Sequence, residues 1–159
     1  MNKVTGIPKL ALCVLFCQAA GMVGALFTSP AIPKWYANLH KPAFNPPNWI
    51  FAPVWTFLFL LMGISVFLVW NKIGEDKKVK TALSVFILQL ALNTLWSILF
   101  FGLRSPLYAF GEIIILWLAI LVTILNFYRI SKAAAFMLLP YILWVSFAVI
   151  LNFVIVILN

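Results

Sequence analysis

The chain has 159 residues, of which 65% are hydrophobic and 9% charged, and its mean hydropathy is +1.12. A water-soluble domain carries roughly a quarter charged residues, so a soluble globular fold is excluded and a membrane protein is expected. The formal charge of +8 invites a nucleic-acid reading, but the placement of the cations described below argues for topology instead.

Five runs with almost no charge follow one another: Leu10–Phe27, Trp49–Trp70, Leu83–Leu103, Leu107–Tyr128 and Ala133–Leu158. Each reaches the length of about 18 or more residues needed to cross a hydrocarbon core. The expected fold is an all-α membrane protein, a five-helix transmembrane bundle forming one domain over residues 1–159. The first run lacks a convincing cleavage pattern and is followed by Pro30-Ala31-Ile32-Pro33, so it reads as a retained helix. Cys13 and Cys17 share a face of it in poor geometry for a disulfide, and they read as buried, inert thiols. Gly21, Gly24 and Ala25 lie on or near one face, where small side chains permit close helix contact in lipid or leave room for a flat ligand.

Between the first two helices lies a loop rich in aromatic residues and proline, running from Trp35 to Trp49. Pro42, Pro46 and Pro47 lack a backbone donor and fix φ, so this loop is not helical throughout. Trp35, Tyr36, Phe44 and Trp49 suit an interfacial anchor. They suit equally an ordered lid over a pocket in the membrane. Pro53 is expected to bend the outer end of the second helix. Gly74-Glu75-Asp76-Lys77-Lys78 reads as a solvated turn.

In the third helix Gln89, Asn93, Trp96 and Phe100 recur at helical spacing. Amides are costly in hydrocarbon, so this stripe faces protein or a cavity, as interhelical glue or as part of a site. The fourth helix carries Glu112, about one turn past Tyr108. It is a functional candidate or a partner of Arg104. In the fifth, Tyr141, Trp144, Ala148 and Asn152 line one face, and Pro140 is expected to kink the helix. Two aromatic stripes with amides on different helices point to a pocket between them.

Lys3, Lys9, Lys72, Lys77, Lys78, Lys80, Arg129 and Lys132 fall on one side of this arrangement, against Lys34, Lys41 and Arg104 on the other. That asymmetry is the positive-inside bias. It predicts a cytoplasmic N-terminus, with the aromatic loop and the C-terminus outside. No carboxylate pair, metal cluster, nucleophile–base set or phosphate-cradling loop can be assembled, and no repeat or row of buried charges marks a coupled carrier. What remains is seven tryptophans and a wall suited to a flat apolar ligand with acidic edges.

The run Trp35-Tyr36, Leu39, Lys41-Pro42, Phe44, Pro46-Pro47, Trp49, followed by Pro53-Val54-Trp55, Met62-Gly63 and Leu68-Val69-Trp70, closely resembles the TspO/MBR family of tryptophan-rich sensory and translocator proteins. Gln89-Leu90-Ala91-Leu92-Asn93 with Trp96, Phe100-Phe101-Gly102 and Arg104 matches a second motif of that family. Pro140-Tyr141, Trp144, Phe147 and Leu151-Asn152 match a third. The resemblance spans nearly the whole chain.

It implies a five-helix bundle, usually a homodimer in the bacterial cell membrane, with a pocket beneath the first loop. The implied ligands are porphyrins, such as protoporphyrin IX and haem, and isoquinoline- or benzodiazepine-type molecules. No obligatory cofactor or metal and no nucleic-acid partner is implied. The implied pocket residues are Ala25, Phe51, Ala52, Trp55, Asn93, Trp96, Tyr108, Gly111, Ile115, Trp144, Ala148, Leu151 and Asn152. Porphyrin carboxylates are expected to meet Lys34, Lys41 or Arg104 at the mouth. The resemblance also leaves open a light-dependent porphyrin breakdown using Trp55 and Trp144, or transport of porphyrin or another apolar metabolite. Phe153 replaces the tyrosine of the animal cholesterol-binding pattern and no Lys or Arg follows Lys132, which argues against steroid binding and points to a bacterial source.

Overall fold

A computed structural model describes residues 3–72 and 77–159 of the chain, with side chains assigned from residue 6 onward in the first segment. The Lys3 side chain and the Gly74-Glu75-Asp76 part of the expected turn lie outside the described residues. Among those described, every regular element is helical: α1 (Lys3–Ala31), α2 (Asn48–Trp70), α3 (Lys77–Ser97), α4 (Pro106–Ile130), α5 (Lys132–Met137) and α6 (Leu139–Leu158). Five stretches are long and apolar enough to span a bilayer, the fifth made of α5 and α6 together.

The helix limits follow from backbone chemistry. Pro47 caps α2, and Pro106 opens α4 at a position whose missing N–H costs nothing. The expected kink at Pro140 is a break: α5 ends at Met137, Leu138 turns, and Pro140 falls in the first turn of α6. A Ser131 side chain caps α5 by accepting from the Ala134 N–H. The last turn of the third span widens into a π turn over Ile98–Gly102, and Arg104 follows with φ 53°. That left-handed conformation is uncommon for a side-chain-bearing residue.

In lipid the hydrophobic effect does not drive helices together, so close packing and hydrogen bonds must. α1 lies against α2 and α3, α3 against α4, and α4 against α5 and α6, while α2 touches α5. Close approach is achieved with glycine. A methyl group at Gly63 would come within 2.6 Å of the Val14 Cα, and one at Gly24 within 3.1 Å of the Ser97 Oγ. Buried Cys13 and Cys17 are free thiols in the core with Met62, Phe86, Phe127 and Tyr141. Ser65 Oγ donates to the Ala134 carbonyl over 2.7 Å, and Lys72 Nζ to that of Ile130 over 2.9 Å, tying α2 and its end to the other side of the bundle.

Gly63→Ala forces two backbones apart rather than a flexible side chain, so it is expected to lower stability by about 1–3 kcal/mol. Thermal denaturation in detergent measures this. Gly6, which has open space around it, serves as the control, and Gly6→Ala should leave the midpoint unchanged.

Candidate ligand cavity beneath the loop

At the end of the bundle where α1 leads into the loop, α1, α2, the third span and α6 enclose a cavity of about 190 Å³. Its aromatic wall comes from Phe51 and Trp55 on α2, Trp96 and Phe100 on the third span, and Trp144 on α6. Trp55 meets Tyr141 edge-on with centroids 6.3 Å apart, and Trp144 meets Phe51 at the same separation. Trp96 stacks on Phe100 at 5.0 Å. Such offset and edge contacts hold rings in fixed orientation.

The amides that the helical spacing singled out lock this wall. Asn93 Nδ2 donates to the Tyr141 hydroxyl over 3.0 Å, and that hydroxyl donates to Gln89 Oε1 over 2.9 Å. One hydroxyl thus joins two turns of α3 to α6. A turn higher, Trp96 Nε1 donates to Asn152 Oδ1 (3.1 Å), and Asn152 Nδ2 donates to the Pro106 carbonyl (2.9 Å). Asn152 therefore links α3, α6 and the start of α4. Gln89 and Asn93 act as interhelical glue, while Asn93 and Asn152 also border the cavity. Tyr141 is fully buried and lies behind the lining.

The loop closes the end. Trp35 and Tyr36 turn inward onto Phe100 and Phe101, with Trp35–Phe100 centroids 5.5 Å apart and Tyr36–Phe101 5.7 Å. Consecutive residues of an α-helix point about 100° apart. The π turn is where Phe100 and Phe101 both meet the loop. Phe44 sits edge-on to Phe147 at 6.2 Å. Trp49 is left exposed, facing the surroundings as an interfacial ring does. Tyr36 donates its hydroxyl to Asn45 Oδ1 over 2.6 Å, and burial pushes that phenol up to about 12. Lys41 Nζ donates to the Tyr36, Ala37 and Leu39 carbonyls at 2.7, 3.3 and 3.1 Å and lies 4.9 Å from the centre of the Tyr36 ring. The ammonium thus holds the short 3₁₀ turn over Tyr36–Asn38 together, so it is spent inside the loop rather than offered at the mouth. Finally, Asn159 clasps the backbone of His40, accepting from its N–H (2.9 Å) and donating to its carbonyl (3.0 Å).

Ten expected pocket residues come together here: Ala25, Phe51, Ala52, Trp55, Asn93, Trp96, Trp144, Ala148, Leu151 and Asn152. Three do not. Tyr108, Gly111 and Ile115 lie on the outer face of α4, with Tyr108 68% and Ile115 58% exposed. The inward face of α4 is instead Ala109, Ile113, Leu116 and Ile120. Glu112 turns inward and is 7% exposed, so it does not share the surroundings of Tyr108. Neither carboxylate oxygen has a hydrogen-bond partner, so of the two readings of Glu112 the pairing with Arg104 is not formed. Sequence reasoning passed over Phe59, Ser97, Phe101, Phe147 and Ile155 as lining. The i, i+4 spacing of Ser97 and Phe101, and the position of Phe147 one turn before Leu151, were the signals available.

Tyr141→Phe removes one oxygen and strands Gln89 Oε1 and Asn93 Nδ2 in a dry core. It is expected to destabilise the bundle by about 1–3 kcal/mol. Denaturant titration of purified protein in detergent checks this, and an unchanged midpoint would show that the amides find other partners.

Comparison with known proteins agrees with this architecture. The TspO/MBR family model matches residues 13–158. The tryptophan-rich protein TspO of Chlorobaculum tepidum is 45% identical over 159 residues, covering 100% of this chain and 99% of the relative. That of Archaeoglobus fulgidus is 46% identical over 154 residues, covering 96% and 98%. The human translocator protein is 36% identical over 132 residues, covering 82% of this chain and 78% of its own. With a bundle of five membrane-length spans and a family match over nearly its full length, the chain belongs to the TspO/MBR family of membrane proteins.

Proposed function

We propose that this protein is a membrane receptor or sensor that binds flat, apolar aromatic ligands, porphyrins foremost, in the cavity beneath the loop. The observation that carries this reading is the wall itself. Phe51, Trp55, Trp96 and Trp144 surround a space among the spanning helices, and two of the three amides bordering it, Asn93 and Asn152, already bond to the bundle. A ligand therefore meets mainly ring faces and methyl groups, with Thr28, Ser29, Asn48 and Ser97 as the further polar part of the lining. Sites for drug-sized molecules run to roughly 300–1,000 Å³. A tetrapyrrole is too large for about 190 Å³, so it binds by side-chain displacement or by leaving one edge outside. With Lys41 engaged, acidic edges of a porphyrin turn to Lys34 and Arg104. The positive-inside bias places the lysine-rich end of the bundle in the cytoplasm, so the loop faces the outside of the cell membrane.

Light-dependent breakdown of a bound porphyrin is a second reading, favoured because Trp55 and Trp144 border the same cavity. The two readings separate by illumination, which accelerates porphyrin bleaching only if the protein takes part.

Quenching of tryptophan fluorescence by protoporphyrin IX tests the first reading. Saturable quenching in the dark is expected, weakened at least about tenfold by Trp144→Ala and unchanged by Tyr108→Ala, since a buried aromatic anchor is worth several kcal/mol and an exposed ring on another face nothing. Loss of affinity on Tyr108→Ala with none on Trp144→Ala would move the site to the outer face of α4.

A further inference from the structure

Four residues bordering the cavity are exposed, and all four belong to α1 and α2: Ala25, Ser29, Asn48 and Ala52. Every bordering residue from the third span and α6 is buried or half-buried. The wall is thus complete on one side and open along the seam between α1 and α2.

The same seam is shut nearer the lysine-rich end. There the Val14 backbone packs on Gly63, the Phe59 ring lies against Gly21, and Gln18 Nε2 donates to the Thr56 carbonyl over 3.0 Å. Continued along the antiparallel pair, that register sets Ala25 across from Ala52, two side chains of one carbon each. The loop end is shut by other means: the Lys41 ammonium on three carbonyls, the Asn159 clasp on His40 and the Trp35 and Tyr36 rings on Phe100 and Phe101.

We propose that ligands enter the cavity sideways from the hydrocarbon, through the gap between α1 and α2 at Ala25 and Ala52, while the loop stays closed. This route rests on the cavity being the ligand site, as argued above. An apolar ring system partitions into the bilayer before it meets the protein, so it arrives at the depth of Ala25 and Ala52 with no water to cross. The route also answers the shortage of volume. A planar ligand too large for the cavity can leave its far edge lying between the two alanines in contact with lipid, where exposure of apolar surface carries no penalty.

The test uses the full chain reconstituted in phosphatidylcholine vesicles, with protoporphyrin IX as the probe and stopped-flow tryptophan quenching as the readout. Ala25→Leu and, independently, Ala52→Leu narrow the gap with side chains that lipid accommodates. Each is expected to slow both association and dissociation about tenfold or more. Loss of a ligand contact would instead speed dissociation, because weakened binding appears mainly in that rate. A disulfide between His40→Cys and Asn159→Cys staples the loop and is expected to leave both rates within about twofold of the unstapled protein. Slow exchange in the stapled protein, with normal exchange in both leucine variants, would overturn the lateral route while keeping the cavity. Absence of saturable quenching in the parent protein would overturn the cavity reading and the route together.

Discussion

The Tyr141 hydroxyl is the interaction on which the rest depends. In hydrocarbon a polar group has no water to turn to, so each amide on a spanning helix needs a partner inside the bundle or exacts a desolvation penalty. Tyr141 takes one hydrogen bond from Asn93 and gives one to Gln89, which fixes α6 against two successive turns of α3. Trp96 and Asn152 repeat the link one turn higher, and Asn152 extends it to the Pro106 carbonyl at the start of α4. With α3 and α6 joined in this way, Trp96 and Trp144 both border the cavity from their two helices. The cavity follows from these links behind and at its edge, which leave its surface mainly aromatic and aliphatic, while Gln89 Nε2 stays buried without a partner.

The loop shows the same economy. A lysine, a tyrosine and two asparagines of the segment bond back onto the segment's own backbone and side chains, and Asn159 binds the loop to the end of α6. Its rings divide their work. Trp35, Tyr36 and Phe44 pack onto the third span and α6, while Trp49 stays exposed. A segment pinned at so many points closes the end of the bundle as a fixed cover, and the weak side of the enclosure is the small-residue seam between α1 and α2. A ligand delivered by the membrane needs such a seam more than it needs a door to water.

Much of this was legible in the sequence because charge and amides are rare in the chain and so carry information. Five uncharged runs gave the five spans, and the helical spacing of Gln89, Asn93, Trp96 and Phe100 located the side of α3 that turns inward. The position of α4 about its own axis was not legible in the same way. In a membrane the outer face of a helix is as apolar as the inner one, so hydrophobic periodicity fades. Tyr108, Gly111 and Ile115 were placed by resemblance alone, and they lie on the face opposite Ala109, Ile113 and Ile120. The π turn at Ile98–Gly102 was equally hidden, since it is set by how neighbouring spans pack, whereas Pro140 signalled a kink without showing that the helix breaks at Leu138. Lys41 was misplaced for another reason. A lysine in an exterior loop reads as a free charge, and only the fold of that loop brings three of its carbonyls to the ammonium.

The central claim is that the ring-lined cavity, rather than the outer face of α4, takes the ligand. Photolabelling with a diazirine-bearing protoporphyrin IX, followed by mapping of the labelled residues, tests it most directly. The account predicts label on α2 and α6 around Phe51, Trp55, Trp144 and Ala148, removed by an excess of unmodified porphyrin. Competed label concentrated at Tyr108, Gly111 and Ile115 would contradict it.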